Sequence, residues 1–241
     1  DTAHSHIKNQ IIQTPLISND YINKKLNSKV LFKLENLQNT GSFKLRGATY
    51  KISKISEENK KNGVVAYSSG NHAQAVAYAS LKQKINCKII MPKNAPAIKI
   101  ENTKKYKAEV ILYDPETQSR ESMGEKISIE ENRTLIRPYD DIDIIAGQGT
   151  AGKEIYKQLK QSSVVPDIYL CCCGGGGLIA GTSTYLKDKF KNIKSFSVEP
   201  FGFDDTKKSL NIGKILANEK GHQSICDAII TPQPGNLTFP I

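Results

Sequence analysis

Residues 167–177 constrain this chain more than any other stretch. A strongly apolar strand, ending in Cys171, Cys172 and Cys173, runs straight into Gly174, Gly175, Gly176 and Gly177, and a helical run over 178–190 follows at once. A strand feeding a helix through a tight turn is part of a β-α-β unit, and such units build parallel sheets. Glycines let the backbone approach an anion closely, and the amides and dipole of a helix start hold it. A phosphate site is the natural reading, because a tight turn alone would not require four glycines.

The same alternation recurs along the chain. Strands are expected at 30–33, 64–67, 87–91, 109–113, 134–137, 167–173 and 195–198, with helices at 73–81, 97–106, 116–131, 143–159 and 178–190. This predicts an α/β fold of open parallel sheets covered by helices. The strands between about 64 and 137 suffice for a small sheet of their own, so two sheets with a cleft between them are expected. Loops at the carboxyl ends of such strands are where ligands bind.

Composition narrows the function. With 241 residues, 38% hydrophobic and 24% charged, the chain makes one large domain or two small ones. No apolar run reaches the roughly 20 residues of a membrane helix, and the polar first ten residues hold no signal peptide. Neither a membrane nor a secretory route is expected. The net charge of +10 resides in residues 1–120, which hold 20 basic and 9 acidic side chains, against 14 and 15 in the remainder. The lysines are scattered singly or in pairs without interleaved aromatics, which argues against nucleic acid as a partner. Three consecutive cysteines on a strand alternate faces and cannot converge on zinc. They read as buried strand residues in a reducing, cytoplasmic compartment.

Two further constellations follow strands or open helices. Ser68, Ser69, Gly70, Asn71 and His72 offer hydroxyls, an amide and free N–H groups at a positive helix end, which suits a carboxylate. Taken alone, they read better as an ordinary N-cap. Lys44 is expected one turn into a helix, between Phe43 and Leu45. A poorly solvated lysine has a depressed pKa and can act as a base or form a Schiff base. A different reading joins Gly175, Gly177 and Ala180 to Glu199, 22 residues past Gly177, as a dinucleotide fingerprint of a nicotinamide oxidoreductase. A lysine, a phosphate cradle and a carboxylate cradle are together what pyridoxal phosphate and an amino-acid substrate need.

Residues 34–38 and 42–48 resemble the cofactor-lysine segment of the threonine dehydratase and serine racemase family, which are fold-type II pyridoxal-phosphate enzymes. Residues 68–74, 146–150, 174–181, 231–235 and 237–240 match further family segments in the same order. The resemblance implies two open parallel-sheet domains, with residues 1–52 and 143–241 in the larger and 53–142 in a small mobile one. It implies that Lys44 holds the cofactor, with Phe43 beside the ring, Asn71 at its 3-hydroxyl and Gly174, Gly175, Gly176 and Gly177 at its phosphate. Ser68, Ser69, Gly70, Asn71 and His72 would take the substrate carboxylate. Glu199, Asp205 and the Phe203 carbonyl would hold Mg2+, Mn2+ or Ca2+, a role that competes with the ribose reading of Glu199.

The implied reaction is dehydration of threonine, serine or another β-hydroxy amino acid to a 2-oxo acid and ammonia, with Lys44 removing the Cα proton. Racemases of this family carry serine where this chain has Ser69, as the acid/base on the opposite face. Serine or aspartate/hydroxyaspartate racemisation is therefore the alternative. Family chains continue beyond the segment matched by 237–240, into a stretch whose serine or cysteine meets the cofactor's pyridine nitrogen. The large domain is thus expected to be incomplete here, and an inactive fragment or ligand-binding remnant is a further alternative. A complete fold would form a homodimer.

Overall fold

The computed structural model describes residues 1–219 and 221–241. Its central sheet has the strands β3 (Val64–Tyr67), β4 (Cys87–Pro92), β5 (Glu109–Tyr113) and β6 (Thr134–Leu135). They pair in the order β5-β4-β3-β6, all parallel. Side chains alternate across a strand, and here both faces are apolar. Val64, Ala66, Ile89 and Met91 pack with α5 (Asn71–Lys82) and α3 (Lys44–Ser53). Val65, Tyr67 and Ile90 pack on the other face with Met123 and Ile127 of α7 (Arg120–Glu130). The core on the α3 side also takes in Ile144 of α8 (Ile142–Gln148), so the apolar interior runs beyond the sheet.

Two smaller sheets lie elsewhere. β1 (Leu16–Ser18) and β2 (Leu31–Lys33) pair antiparallel. β7 (Ile168–Cys172) and β8 (Lys194–Val198) pair parallel. One face of the latter pair is packed with Tyr169 against Ile155 and Leu159 of α9 (Thr150–Gln161) and Leu186 of α10 (Gly177–Lys189). The other face is bare, and it exposes Ile168, Leu170, Cys172, Phe196 and Val198. The expectation of buried strand cysteines therefore holds for Cys171 and Cys173 but not for Cys172.

Other differences from the sequence reading have local causes. The helix expected over 143–159 is two helices, α8 and α9, which meet at Gly149. Gly149 keeps helical dihedrals, φ −58° and ψ −17°, so the hydrophobic period runs on through the joint. The helix expected from 116 starts at Arg120, where the Ser119 side chain accepts the Ser122 amide as an N-cap. Lys44 is the first residue of α3, not one turn in.

The segment Ala146, Gly147, Gln148, Gly149 and Thr150 is a packing hub. A Cβ at Gly147 would stand 2.6 Å from Gly47 Cα, and one at Gly181 would stand 2.2 Å from the Ile145 carbonyl. Backbones of α3 and α10 thus close on α8 at distances only glycine allows. Both helices begin at the site, so this hub sets their starts relative to one another.

Candidate active site

The site is built on helix starts. Helices α2 (Asp20–Leu26), α4 (Glu57–Asn62), α7 and α8 each carry a side-chain cap, from Asn19, Ser56, Ser119 and Asp141. By contrast, α5 begins after Gly70 and α10 after Gly176, and neither has one. No side chain of the protein therefore competes for their first-turn amides, which can meet a ligand. The N-cap reading of residues 68–72 therefore fails. Ser68 Oγ accepts the Gly70 amide at 3.2 Å and so shapes the turn instead. Ser69 makes no such bond, and its half-buried hydroxyl is free among the described contacts.

Lys44 opens α3 beside these starts. Its Nζ donates to the Pro138 carbonyl at 2.6 Å and lies 5.3 Å from the Phe43 ring centroid. Desolvation alone lowers its pKa to about 8. No carboxylate is set against it, so a fraction of the amine is unprotonated near neutral pH, where it can act as a nucleophile and base. His72 is buried, and its Nε2 donates to the Ile136 carbonyl at 3.0 Å. Burial, then the charge of Lys44, push it down to about 3, so the ring stays neutral. The side chain thus fixes the loop, and what His72 can offer a carboxylate is its backbone amide. Asn71 is exposed at the first position of α5.

Residues 136–140 connect all of these elements, and the sequence reading, which took 134–137 as a strand, gave them no part in the site. Ile136 and Pro138 supply the carbonyls for His72 and Lys44. The Tyr139 ring lies against the glycine loop, where a Cβ at Gly175 would come within 2.3 Å of it. Burial raises the Tyr139 phenol to about 12, so it remains neutral. Asp140 accepts the amides of Asn236 and Leu237 at 3.1 and 2.7 Å. The available signal was the Pro138 that ends the strand, but a proline does not announce what its carbonyl will hold.

Behind Lys44 lies a buried ion cluster. Arg46, fully buried, donates from Nε to Glu35 at 2.7 Å and from Nη1 to Glu154 at 2.8 Å. Lys33 Nζ also meets Glu154, at 2.7 Å. Two cations and two carboxylates balance, and they tie β2 and α9 to the helix that starts with Lys44.

The proposed metal residues behave differently. Glu199 spends both oxygens on the Thr206 and Lys207 amides, at 2.9 and 3.0 Å, at the start of α11 (Asp205–Ile212). Asp205 Oδ1 is held by Asn218 Nδ2. Among the described residues no group of three or more His, Cys, Asp or Glu side chains converges.

Residues 136–140 thus link a desolvated lysine to two helix starts without side-chain caps, one of them glycine-rich, in an α/β fold. The chain belongs to the pyridoxal-phosphate dependent enzyme family, whose family model matches residues 7–241. It is 40% identical over 240 residues to a serine racemase of Dictyostelium discoideum, covering 99% of this chain and 72% of that protein. It is 37% identical over 239 residues to an L-threo-3-hydroxyaspartate ammonia-lyase of Saccharomyces cerevisiae, with the same shares. Among solved structures, a maize serine racemase superposes with a TM-score of 0.93 at 35% identity, covering 99% of this chain and 71% of that one. The fold is that of the fold-type II enzymes, and the dinucleotide reading is set aside.

Family membership implies pyridoxal phosphate, and the residues fit it. The amine of Lys44 is desolvated, the α10 amides are uncapped, and Thr40 Oγ1 and Ser42 Oγ, just before Lys44, are buried without partners.

Proposed function

We propose that this chain is a pyridoxal-phosphate-dependent ammonia-lyase acting on a β-hydroxy amino acid, with a racemase route through Lys44 and Ser69. The observation that carries the reading is the desolvated Lys44 amine beside the uncapped starts of α5 and α10. Its relatives include the serine racemase and the hydroxyaspartate ammonia-lyase above.

Lys44 would hold the cofactor, with Phe43 and Asn71 beside it and the loop of Gly174, Gly175, Gly176 and Gly177 at its phosphate. When bound, that group supplies an electron sink for the charge left at Cα. The backbone amides at the start of α5 would take the substrate carboxylate, with Ser68 holding their turn. Lys44, poised near pKa 8, is matched to removing a proton and returning it near neutral pH. Ser69, whose hydroxyl the turn leaves unused, would give or take a proton on the second face.

The test is a steady-state assay of both enantiomers of serine, threonine and 3-hydroxyaspartate, for the wild type and Ser69→Ala. The expected result is 2-oxo acid and ammonia from the wild type, and loss of racemisation with elimination retained in the variant. Equal loss of both activities would overturn the two-face assignment. A second reading is an inactive fragment or ligand-binding remnant, and turnover of any of these substrates removes it.

The finer parts of the reading have their own support. A divalent cation at Glu199, Asp205 and the Phe203 carbonyl would satisfy Asp205 Oδ2, which is buried without a partner on a carboxyl pushed up to about 6 by burial. Mg2+ or Mn2+ should then raise the Tm, and an unchanged Tm would remove the cation. Residues 53–142 as a small mobile domain against 1–52 and 143–241 accords with the confinement of all four central strands to that span. A cytoplasmic setting accords with five unpaired cysteines. The homodimer is checked by light scattering.

A further inference from the structure

Residues 231–240 match the family, yet neither the chemistry nor the packing above gives them a task. The structure places Thr238 against the glycine loop. Its hydroxyl, buried, donates to the Gly175 carbonyl at 2.6 Å and accepts the Gly235 amide at 3.0 Å. The Gly235 amide also reaches the Gly175 carbonyl, at 3.3 Å. The turn that carries Thr238 is pinned from its other side by Asp140, through the amides of Asn236 and Leu237. Thr238 thus meets the peptide of the cradle directly, and Asp140, from a distant part of the chain, holds the turn that carries Thr238.

That peptide decides what the loop presents. A trans peptide is planar, with C=O and N–H on opposite sides. Holding the Gly175 carbonyl at Thr238 turns the Gly176 N–H to the opposite side of the peptide. Gly176 then adopts φ +89°, which reverses the chain so that α10 starts at Gly177 with uncapped amides. A Cβ at Gly176 would lie 2.8 Å from Thr238 Oγ1, so hydroxyl and glycine fit only each other. Without the hydroxyl, the Gly175 carbonyl is buried with only the long bond from Gly235, and the peptide is free to flip toward another partner.

We propose that Thr238 is a positioning residue for the anion cradle, fixing the 175–176 peptide so that the start of α10 faces a phosphate, and that Asp140 holds Thr238 in place. This rests on the pyridoxal-phosphate reading of the site. It concerns phosphate recognition and not the reaction at Lys44, and so the two are separable.

The experiment compares pyridoxal phosphate with pyridoxal, which has the same aldehyde and no phosphate. Binding is followed by the absorbance of the Schiff base on the full chain, for the wild type, Thr238→Val and Thr238→Ser. Valine keeps the shape and removes the hydroxyl, and serine keeps the hydroxyl. The expected result is a tenfold or greater loss of pyridoxal phosphate affinity in Thr238→Val, unchanged pyridoxal affinity, and recovery to within about twofold in Thr238→Ser. Equal losses for both aldehydes, or no loss for either, would overturn the proposal, as would failure of serine to rescue. Should Thr238→Val not fold, Asp140→Asn keeps the hydroxyl while loosening its turn. A threefold or greater loss confined to the phosphorylated aldehyde is expected there, and none would overturn the role of the clamp. A wild type that binds neither aldehyde would instead refute the cofactor reading itself.

Discussion

The central sheet and the β7–β8 pair are made of similar residues and end in different states. Ile89, Ile90 and Met91 in β4 are wholly buried, because helices cover both faces. Leu170 in β7 is 64% exposed and Phe196 in β8 is 49% exposed, because helices cover one face only. An apolar strand therefore specifies a sheet but not its cover. The regions outside the central sheet are also held differently. Burial of apolar side chains supports β3 to β6, whereas β2, α3 and α9 are joined by the Lys33, Glu35, Arg46 and Glu154 ion cluster.

The contrast can be broken by mutation. The largest effect is expected for Arg46→Met, which leaves Glu35 without its cation and Glu154 with Lys33 alone, and should cost about 3–5 kcal/mol in urea unfolding. A loss under about 1 kcal/mol would mean that the cluster is not what joins these elements. Next comes Ile90→Ala in the doubly covered sheet, expected to cost about 3 kcal/mol through lost burial and the cavity left. The matching change on the bare face, Leu170→Ser, should alter stability by no more than about 0.5 kcal/mol while reducing aggregation seen by light scattering. If Leu170→Ser cost as much as Ile90→Ala, that face would be covered in solution.

A pH series sharpens the comparison at the site, with an effect of about 1.4 kcal/mol per pH unit at most. His72 titrates near 3 in the folded chain and near 6.5 unfolded. Between those values the unfolded chain holds the extra proton, so stability falls as pH drops from about 6.5 toward 3. Lys44 has the same sign in another window, with stability rising as pH climbs from about 8 to about 10.5. Urea midpoints of the cofactor-free chain should show both slopes. His72→Gln should flatten the acid limb, and an unchanged acid limb would place the titration on another group.

Much of the fold was legible because apolar strands and helical periods alternate plainly between Val64 and Val198. Strand β2 was read at 30–33, but its antiparallel partner β1 was not, because a three-residue strand of half-exposed and exposed side chains carries no clear period. The joint at Gly149 was hidden by helical dihedrals. In the site, Lys44 and the two glycine-bearing turns stood out because their chemistry is written in side chains or in the lack of them. The strap at 136–140 acts through the carbonyls of Ile136 and Pro138, and every residue has a carbonyl. Only the fold shows which ones matter.

The central claim is that Lys44 is the residue that takes the cofactor's aldehyde. Borohydride reduction of the chain after addition of pyridoxal phosphate, followed by peptide mass mapping, tests it directly. The account predicts one reduced pyridoxyl group, on the peptide containing Lys44, and none in Lys44→Ala. A label spread over surface lysines, or the same label in Lys44→Ala, would contradict it.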